Sequence, residues 1–256
     1  MKQNIKKVNI MKVVRRVINL GCVCLLFMQT AFSQTSEREA LIEGVFRKYL
    51  MTGDESYAKM LADSKEENTY SLFGKAVLTD NAEEAIDLYT KFIEKKTKYG
   101  LGEAYFNRGF KYFLLEKSEL AVYDFNEAVK LGVKDPYLYY FRGASFVALE
   151  EYDKAIENFT AVIKMDSSFE MAYVMRGNRY FSKEDFSKAL NDYNKAIELN
   201  RNDDKLYIMR GKTYESLGNY KKALKDWQKV KKMGGKNIEI ADELIEQLNE
   251  KKKKKK

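Results

Sequence analysis

The stretch YLYYFRGASFVALEEYDKAIENF, residues 137–159, decides the fold because its key positions recur along the chain. Its Arg-Gly pair is one of four such pairs that stand 34 residues apart. A Tyr precedes each Arg by three residues, and an Ala follows each Gly by twelve. The four sets are Tyr105, Arg108, Gly109 and Ala121; Tyr139, Arg142, Gly143 and Ala155; Tyr173, Arg176, Gly177 and Ala189; and Tyr207, Arg210, Gly211 and Ala223. Several positions kept in phase at one period indicate a repeat protein rather than a single globular core.

Each repeat is predicted to be two antiparallel helices joined by a short turn, which makes the fold class all-α. The Gly of the first helix and the Ala of the second allow the two helices to approach closely, and aromatic side chains fill the space around the crossing. These aromatics are Tyr112, Phe146, Tyr180 and Tyr214 in first helices, and Phe125, Phe159, Tyr193 and Trp227 in second helices. One hairpin cannot bury them alone, so neighbouring hairpins must stack.

This pattern resembles the tetratricopeptide repeat (TPR) family over residues 67–235, most clearly over 102–235. The matching signature in the quoted stretch is Tyr139, Arg142-Gly143, Phe146, Glu150, Tyr152, Ala155 and Phe159; in the last repeat it is Tyr207, Arg210-Gly211, Tyr214, Gly218, Tyr220, Ala223 and Trp227. The resemblance implies a right-handed superhelical solenoid of helix hairpins, whose first helices line a concave groove that holds a peptide. It says little about function, because the family serves many unrelated binding tasks.

The family's groove positions, carried onto this chain, predict a partner-binding groove that is mostly apolar or aromatic. The predicted groove residues are Phe106, Phe110, Phe113, Tyr137, Tyr140, Val147, Met171, Val174, Asn178, Phe181, Ile208 and Lys212. The charges with which some family members clamp a C-terminal carboxylate are largely missing here. An aromatic groove suits an amphipathic helix or an apolar extended segment. We therefore expect a scaffold that binds a protein or peptide; the alternatives are a homo-oligomer with its grooves packed together and an N-terminal hairpin that covers the groove.

The segments before the regular repeats are predicted separately. Residues 1–33 read as a secretory signal, because a basic start is followed by an apolar run of about a dozen residues and small residues before Gln34. We therefore expect an exported protein of the bacterial periplasm or envelope periphery. Residues 34–66 are predicted to form a hairpin or cap, with Gly53 as a helix stop and Asp54 as the next helix cap.

The remaining segments are a repeat array over residues 67–236, a capping helix over 237–250 and a poly-Lys tail over 251–256. The array is predicted to hold one degenerate repeat, in which Gly74 stands for the first-helix Gly, and four regular repeats. The regular repeats start near Gly102, Pro136, Glu170 and Asp204. The tail has no apolar partner residues and is expected to be disordered.

The repeated Arg stands where the family usually has an apolar residue. Asp124, Asn158, Asp192 and Asp226 occupy matching positions in the second helices. Since Arg pairs with Asp in a bidentate geometry, we expect links between the two helices of each repeat. The alternative is a ladder of exposed Arg side chains that binds an anionic ligand.

The net charge of +8 belongs to the two ends of the chain. Six positive charges lie in residues 1–33 and six in the tail, so residues 34–250 carry −4. A nucleic-acid-binding protein carries its basic excess on the folded surface, so no nucleic-acid partner is expected. Contact with an anionic membrane is expected to be peripheral at most, through the Lys tail.

The composition argues against catalysis and implies no cofactor or metal. The chain has no His, and its two Cys, Cys22 and Cys24, lie in the predicted signal. The commonest general base, zinc ligands and thiol nucleophiles are therefore missing from the predicted mature chain. Carboxylate pairs remain at Glu83-Glu84, Glu150-Glu151 and Asp203-Asp204, at predicted turns where acids favour helix starts. A glycan-acting enzyme that uses such carboxylates is kept only as a third alternative.

Overall fold

The computed structural model describes residues 35–63 and 68–254, and these residues form thirteen helices and no strand. The helices are α1 Thr35–Thr52, α2 Glu55–Ala62, α3 Thr69–Leu78, α4 Ala82–Glu94, α5 Leu101–Leu114, α6 Ser118–Lys130, α7 Pro136–Ala148, α8 Tyr152–Met165, α9 Glu170–Ser182, α10 Phe186–Leu199, α11 Asp204–Ser216, α12 Tyr220–Met233 and α13 Ile238–Lys254. They divide into two compact units: unit 1 ends at Val133 and contains α1 to α6, and unit 2 starts at Lys134 and contains α7 to α13. The all-α fold of helix hairpins predicted from the repeat pattern is confirmed.

The helix starts follow from local capping chemistry. The Asp135 carboxylate accepts a hydrogen bond of 2.7 Å from the Tyr137 amide, and Pro136 occupies the first helical position, where its missing N–H is harmless. Asp203 caps α11 in the same way, through the Lys205 amide at 2.9 Å. Asp54 caps α2 as predicted, since its side chain accepts from the Ser56 amide.

The turns inside the regular repeats share one left-handed residue. Glu116, Glu150 and Glu184 have φ of 59°, 61° and 60°, and Gly218 has φ of 72° at the equivalent place. This left-handed residue reverses the chain at the same point in each regular repeat. The conformation is costly for a residue with a Cβ atom, such as Glu. The second helix of each repeat begins two residues later, at Ser118, Tyr152, Phe186 and Tyr220.

The first-helix glycines lie where two helices touch. A Cβ atom added to Gly109 would lie 3.0 Å from the Phe125 ring, and one added to Gly177 would lie 3.0 Å from the Tyr193 ring. At Gly211 the added atom would overlap the Trp227 ring. The close approach predicted from the Arg-Gly pairs is therefore confirmed.

The degenerate repeat differs from this arrangement. Gly74 packs against α2 rather than against its presumed partner helix α4, because an added Cβ would lie 2.5 Å from the Ala58 carbonyl oxygen. The neighbouring Phe73 faces α4, with its ring centroid 5.3 Å from that of Tyr89 and 5.2 Å from that of Phe92. The prediction that Gly74 plays the part of Gly109 is wrong, since the helix is rotated to bury an aromatic ring instead.

An aromatic cluster forms the core of unit 1. Phe46 from α1 is fully buried, and its ring centroid lies 5.0 Å from that of Phe73 and 5.7 Å from that of Phe92. Tyr49 packs edge-on against Phe73 at 5.7 Å. Helix α1 is therefore part of the core of unit 1 rather than a separate element.

Helix α13 closes unit 2 against α12. Ala241 and Leu248 are fully buried in the core of unit 2, with Leu244 and Ile245 packed beside them. The helix continues to Lys254, and the Lys251 ammonium donates a hydrogen bond of 2.6 Å to Glu215. The expectation of disorder from Lys251 onward is corrected for the first four tail residues, because helix continuation and this ion pair order them.

The predicted signal over residues 1–33, with Cys22 and Cys24, lies outside the described residues. Among the helices that the structure describes, none combines the length and the apolar character needed to span a bilayer.

Candidate functional site

The repeated Arg side chains bind second-helix carboxylates. Arg176 Nε and Nη2 donate to the two Asp192 oxygens at 2.9 and 2.7 Å, and Arg210 makes the same bidentate pair with Asp226 at 2.8 and 2.7 Å. In unit 1, Arg108 bonds Asp124 at 2.8 Å through both nitrogens. The Asp side chains are 1–7% exposed and the Arg side chains 12–19% exposed. The predicted structural links are confirmed for these three pairs.

The third nitrogen of each guanidinium reaches the preceding hairpin. Arg176 Nη1 donates to Thr160 Oγ1 at 3.0 Å, and Arg210 Nη1 donates to Asn194 Oδ1 at 2.8 Å. Arg108 Nη1 donates to Thr90 Oγ1 at 2.9 Å. Each of these Arg residues therefore joins its own hairpin to the one before it. Sequence reasoning missed this partner, although Thr160 and Asn194 stand in phase, two residues after the acceptor of their own repeat.

Tyrosine rings enclose the same guanidinium groups. The Arg176 guanidinium carbon lies 5.9 Å from the centroids of both Tyr173 and Tyr180, and the Tyr207 and Tyr214 rings lie 5.5 and 6.0 Å from Arg210. These are cation–π distances. The repeated Tyr thus stacks on the repeated Arg, which leaves little guanidinium surface for an anionic ligand.

Arg142 is the exception in the series. Its Nε donates to Asn158 Oδ1 at 2.8 Å, so it faces a neutral amide where the others face a carboxylate. Burial lowers the pKa of Arg142, whereas the hydrogen bonds that Arg176 and Arg210 donate to Asp192 and Asp226 raise the pKa of these two Arg residues.

The predicted groove residues of unit 1 form one stripe on α5. Phe106, Phe110 and Phe113 are spaced four and three residues apart, and all three are half-buried. The Phe106 ring centroid lies 6.1 Å from that of Phe125 in the core. The Phe106 ring therefore packs on the core, and all three side chains keep part of their surface exposed.

In unit 2, two predicted groove residues belong to an aromatic patch. The rings of Tyr137 and Tyr140 lie 5.1 and 5.3 Å from Phe169, and Phe141 lies 5.4 Å from Tyr140. Tyr137 is 42% exposed, and burial raises the pKa of Tyr140. We call Tyr137, Tyr140, Phe141 and Phe169 the aromatic patch. Sequence reasoning missed Phe141 and Phe169; an aromatic residue directly before the helix start at Glu170 was the available signal.

The other predicted groove residues divide between the core and the surface. Val174 and Ile208 are only 8% exposed and belong to the core cluster of unit 2, so they offer almost no binding surface. Asn178 Oδ1 accepts a hydrogen bond of 2.8 Å from the Tyr193 hydroxyl. The remaining four differ in exposure and neighbours: Met171 and Lys212 are exposed, Val147 is half-buried, and Phe181 is half-buried with its ring 5.4 Å from that of Phe186.

One member of each carboxylate pair has a hydrogen-bond or ion-pair partner in the structure. Glu84 accepts from the Thr79 hydroxyl at 2.6 Å, Glu151 pairs with Lys154, and Asp204 accepts from Asn237 Nδ2 at 2.6 Å. Across the described part of the chain, no group of three or more His, Cys, Asp or Glu side chains could hold a metal ion.

The helix hairpins with their 34-residue period have counterparts in known proteins. The tetratricopeptide repeat model matches residues 136–169 and 204–233, and a second TPR repeat model matches residues 177–218. The chain contains tetratricopeptide repeats. No curated protein sequence matches it.

Solved structures of TPR solenoids share this fold. A crystal structure of MamA has 21% sequence identity and a TM-score of 0.58, and the match covers 71% of this chain and 94% of that one. YrrB, described as a TPR protein with an unusual peptide-binding site, has 21% identity and a TM-score of 0.61 over 69% of this chain and 91% of its own. MamA from Desulfovibrio magneticus has 19% identity and a TM-score of 0.61 over 67% and 97%. At these identities the likeness concerns the fold.

Proposed function

We propose that this TPR protein is a non-catalytic scaffold that binds an apolar or amphipathic segment of another protein. The observation that carries the proposal is the aromatic patch of unit 2. Its rings extend from the core onto the surface of α7 and the turn before α9, and Tyr137 is 42% exposed. Aromatic side chains at a surface of this kind contribute most of the binding free energy in many interfaces.

The chemistry of the patch favours an apolar or amphipathic ligand over an acidic one. The repeated Arg side chains are held by Asp, Thr, Asn and Tyr partners, so they are not available to clamp a carboxylate. Tyrosine and phenylalanine rings instead offer a large apolar contact area at a small cost in side-chain entropy. The α5 stripe of unit 1 has the same character, which supports a surface for protein segments rather than for small ions.

A selection with matched variants tests this function. A phage library of amphipathic helical peptides is selected on the purified chain, and the affinity of enriched peptides is measured by fluorescence anisotropy. We expect Tyr137→Glu with Met171→Glu to weaken binding at least about tenfold, because both side chains are exposed on first helices.

The control is Tyr123→Glu with Met165→Glu. These residues are 57% and 44% exposed, but they lie on the second helices α6 and α8. The proposal fails if no peptide is enriched, or if the control pair weakens binding as much as the first pair does. If the proposal holds, a photoreactive residue in place of Phe110 should identify the natural partner by crosslinking in intact cells.

Self-association through the same surface is the competing function. It predicts a dimer by light scattering whose dissociation follows Tyr137→Glu with Met171→Glu. A monomer at all concentrations supports the scaffold instead.

We also propose that the protein acts in the cell envelope of a bacterium after export. The support is the sequence of residues 1–33, with its basic start, apolar run and small residues before Gln34. Edman sequencing of the protein purified from the producing cell tests this proposal. A mature chain that starts at Gln34 supports export, and a chain that retains residues 1–33 in the cytoplasm refutes it.

A further inference from the structure

Helix α12 carries a one-sided row of lysines. The helix contains six Lys and a single acidic residue, Asp226, which is buried and paired with Arg210. Lys221, Lys225, Lys229 and Lys232 are spaced by four, four and three residues, which places them on one face of the helix. All four are exposed. We call these four residues the lysine row.

The opposite face of α12 explains why the row points outward. Ala223, Trp227 and Val230 are fully buried in the core of unit 2. The helix is therefore fixed in rotation by its apolar side, and the row cannot turn toward the core. Four residues at these spacings span about 16 Å along the helix axis, so the row is a straight line of positive charge.

Two acidic residues nearby pair with other lysines. Asp242 of α13 pairs with Lys231, and Glu215 at the end of α11 pairs with Lys251. Lys222 lies over the Tyr214 ring at 5.2 Å. None of the four row lysines forms an ion pair with another described residue. Like charges at this spacing repel one another, so the row destabilises the isolated helix slightly.

Two of the row lysines border a depression of about 380 Å³. Lys229 and Lys232 line it together with Asn202, Met233 and Gly235. The acidic member of its lining, Asp204, already accepts a hydrogen bond from Asn237. The lining of the depression therefore combines two basic side chains with one carboxylate.

The poly-Lys tail begins at one end of the row. Helix α13 packs on α12, and Lys251 bonds Glu215, which lies five residues before the start of α12 at Tyr220. The first tail residue is thus held close to the end of α12 that carries Lys221. The row and Lys251 form one basic region of unit 2, although residues 34–250 as a whole carry −4.

We propose that this basic region docks unit 2 on the surface of an anionic phospholipid bilayer. A membrane surface is a plane of phosphate and carboxylate charge, which a straight row of flexible ammonium groups complements without directional recognition. Nucleic-acid binding favours Arg forks and aromatic stacking, and the row contains neither. This docking does not depend on the aromatic patch, because the row lies on a second helix and uses charge alone.

Vesicle binding with two matched triple variants tests the proposal. The full chain is titrated with vesicles of equal parts phosphatidylglycerol and phosphatidylcholine, and with pure phosphatidylcholine vesicles. The pure vesicles measure any contribution of the apolar run in residues 1–33, which all variants share. We expect Lys225→Gln, Lys229→Gln and Lys232→Gln together to weaken binding to the anionic vesicles at least about tenfold. The binding of the unaltered chain should fall as salt is raised.

The matched control is Lys134→Gln, Lys164→Gln and Lys205→Gln. These three lysines of unit 2 are exposed, lie outside the basic region, and change the net charge by the same amount. We expect this triple to alter vesicle binding less than about twofold, with unchanged circular dichroism for both triples. Equal losses in the two triples, no loss in either, or no preference for anionic vesicles overturns the proposal. Row-dependent binding to duplex DNA without vesicle binding overturns it as well.

Discussion

Helices α1 to α4 are joined by aromatic rings, whereas the hairpins α5–α6, α9–α10 and α11–α12 each carry a buried Arg–Asp pair. In the first region Phe73 lies at the crossing of α3 and α4, fully buried between Tyr89 and Phe92. In the second a Gly lies at the crossing, and a neighbouring Arg such as Arg176 links three helices. Both arrangements fill the space between two helices.

The repeated Arg adds a fixed geometry to the hairpins that carry it. Rings that pack by shape can shift in register, whereas an Arg that donates hydrogen bonds to acceptors on two hairpins sets one distance and one orientation. A buried ion pair is weak as a source of stability but defines geometry. The regular repeats therefore repeat their geometry as well as their sequence, and the aromatic hairpins do not.

Breaking one ion pair should have the largest effect. Arg176→Met leaves the Asp192 carboxylate buried without its partner and should lower the free energy of unfolding by about 3–5 kcal/mol. Adding Asp192→Leu should recover most of this loss, because the crossing then becomes apolar like that of α3 and α4. Urea unfolding followed by circular dichroism measures both. A double variant as unstable as the single one would contradict this account.

Alkaline pH should weaken the aromatic region next. Burial and then the Glu55 charge raise the pKa of Tyr49 to about 12 from its usual 10.0. The unfolded chain releases this proton near pH 10 and the folded chain retains it, so the stabilisation is present below pH 10 and is lost as the pH rises to 12. The loss is about 1.4 kcal/mol per pH unit.

Tyr49→Phe should make the unfolding free energy flatter over that pH interval than in the unaltered chain. Tyr123→Phe is the control, because Tyr123 is 57% exposed. If Tyr49→Phe leaves the slope of unfolding free energy against pH unchanged, the Tyr49 hydroxyl of the unaltered chain ionises as freely in the folded state as in the unfolded state.

Replacing a glycine by alanine should lower the free energy of unfolding by about 1–3 kcal/mol, and the loss should differ between the two regions. Gly74→Ala brings a methyl group against backbone atoms of α2, the Ala58 oxygen at 2.5 Å and the Ala62 nitrogen at 2.8 Å. Gly177→Ala meets only side-chain atoms, of Tyr193 and Asp192, at 3.0 and 3.2 Å. Thermal unfolding should show the larger loss for Gly74→Ala. The reverse order would place Gly74 at an ordinary helix surface.

Completing the Arg series should give the smallest change. Asn158→Asp offers Arg142 the bidentate partner that the other repeats have and should raise the free energy of unfolding by about 1 kcal/mol. Asp192→Asn is the reciprocal variant and should lower it. Urea unfolding of the two variants side by side is the check. A loss of stability in Asn158→Asp would show that the hydrogen bond from the Asn158 side-chain amide to the Lys154 carbonyl contributes more than the new ion pair does.

Much of the fold can be predicted from the sequence because interactions between residues close in the chain determine it. Pro136, Glu170 and Asp204 begin helices where the period predicts, and Asp54 caps α2. The Arg–Asp links also followed from the spacing, since two positions in phase on paired helices must face each other. The candidate site can be predicted from the sequence only in part. Val174 and Ile208 occupy groove positions of the family but are buried here. Phe169 lies in the turn before α9 and packs its ring against that of Tyr137 on α7.

The period, the helix starts, the glycine crossings and the second-helix partners of the repeated Arg depend on residues at fixed spacing, so they can be predicted from the amino-acid sequence. The packing of Gly74 against α2, the part of Thr160 and Asn194 in the Arg links and the unpaired state of four lysines on α12 emerge only from the folded chain. These outcomes depend on how each helix is rotated about its axis. That rotation is set by the summed packing of several neighbouring helices, and no single spacing in the chain specifies it.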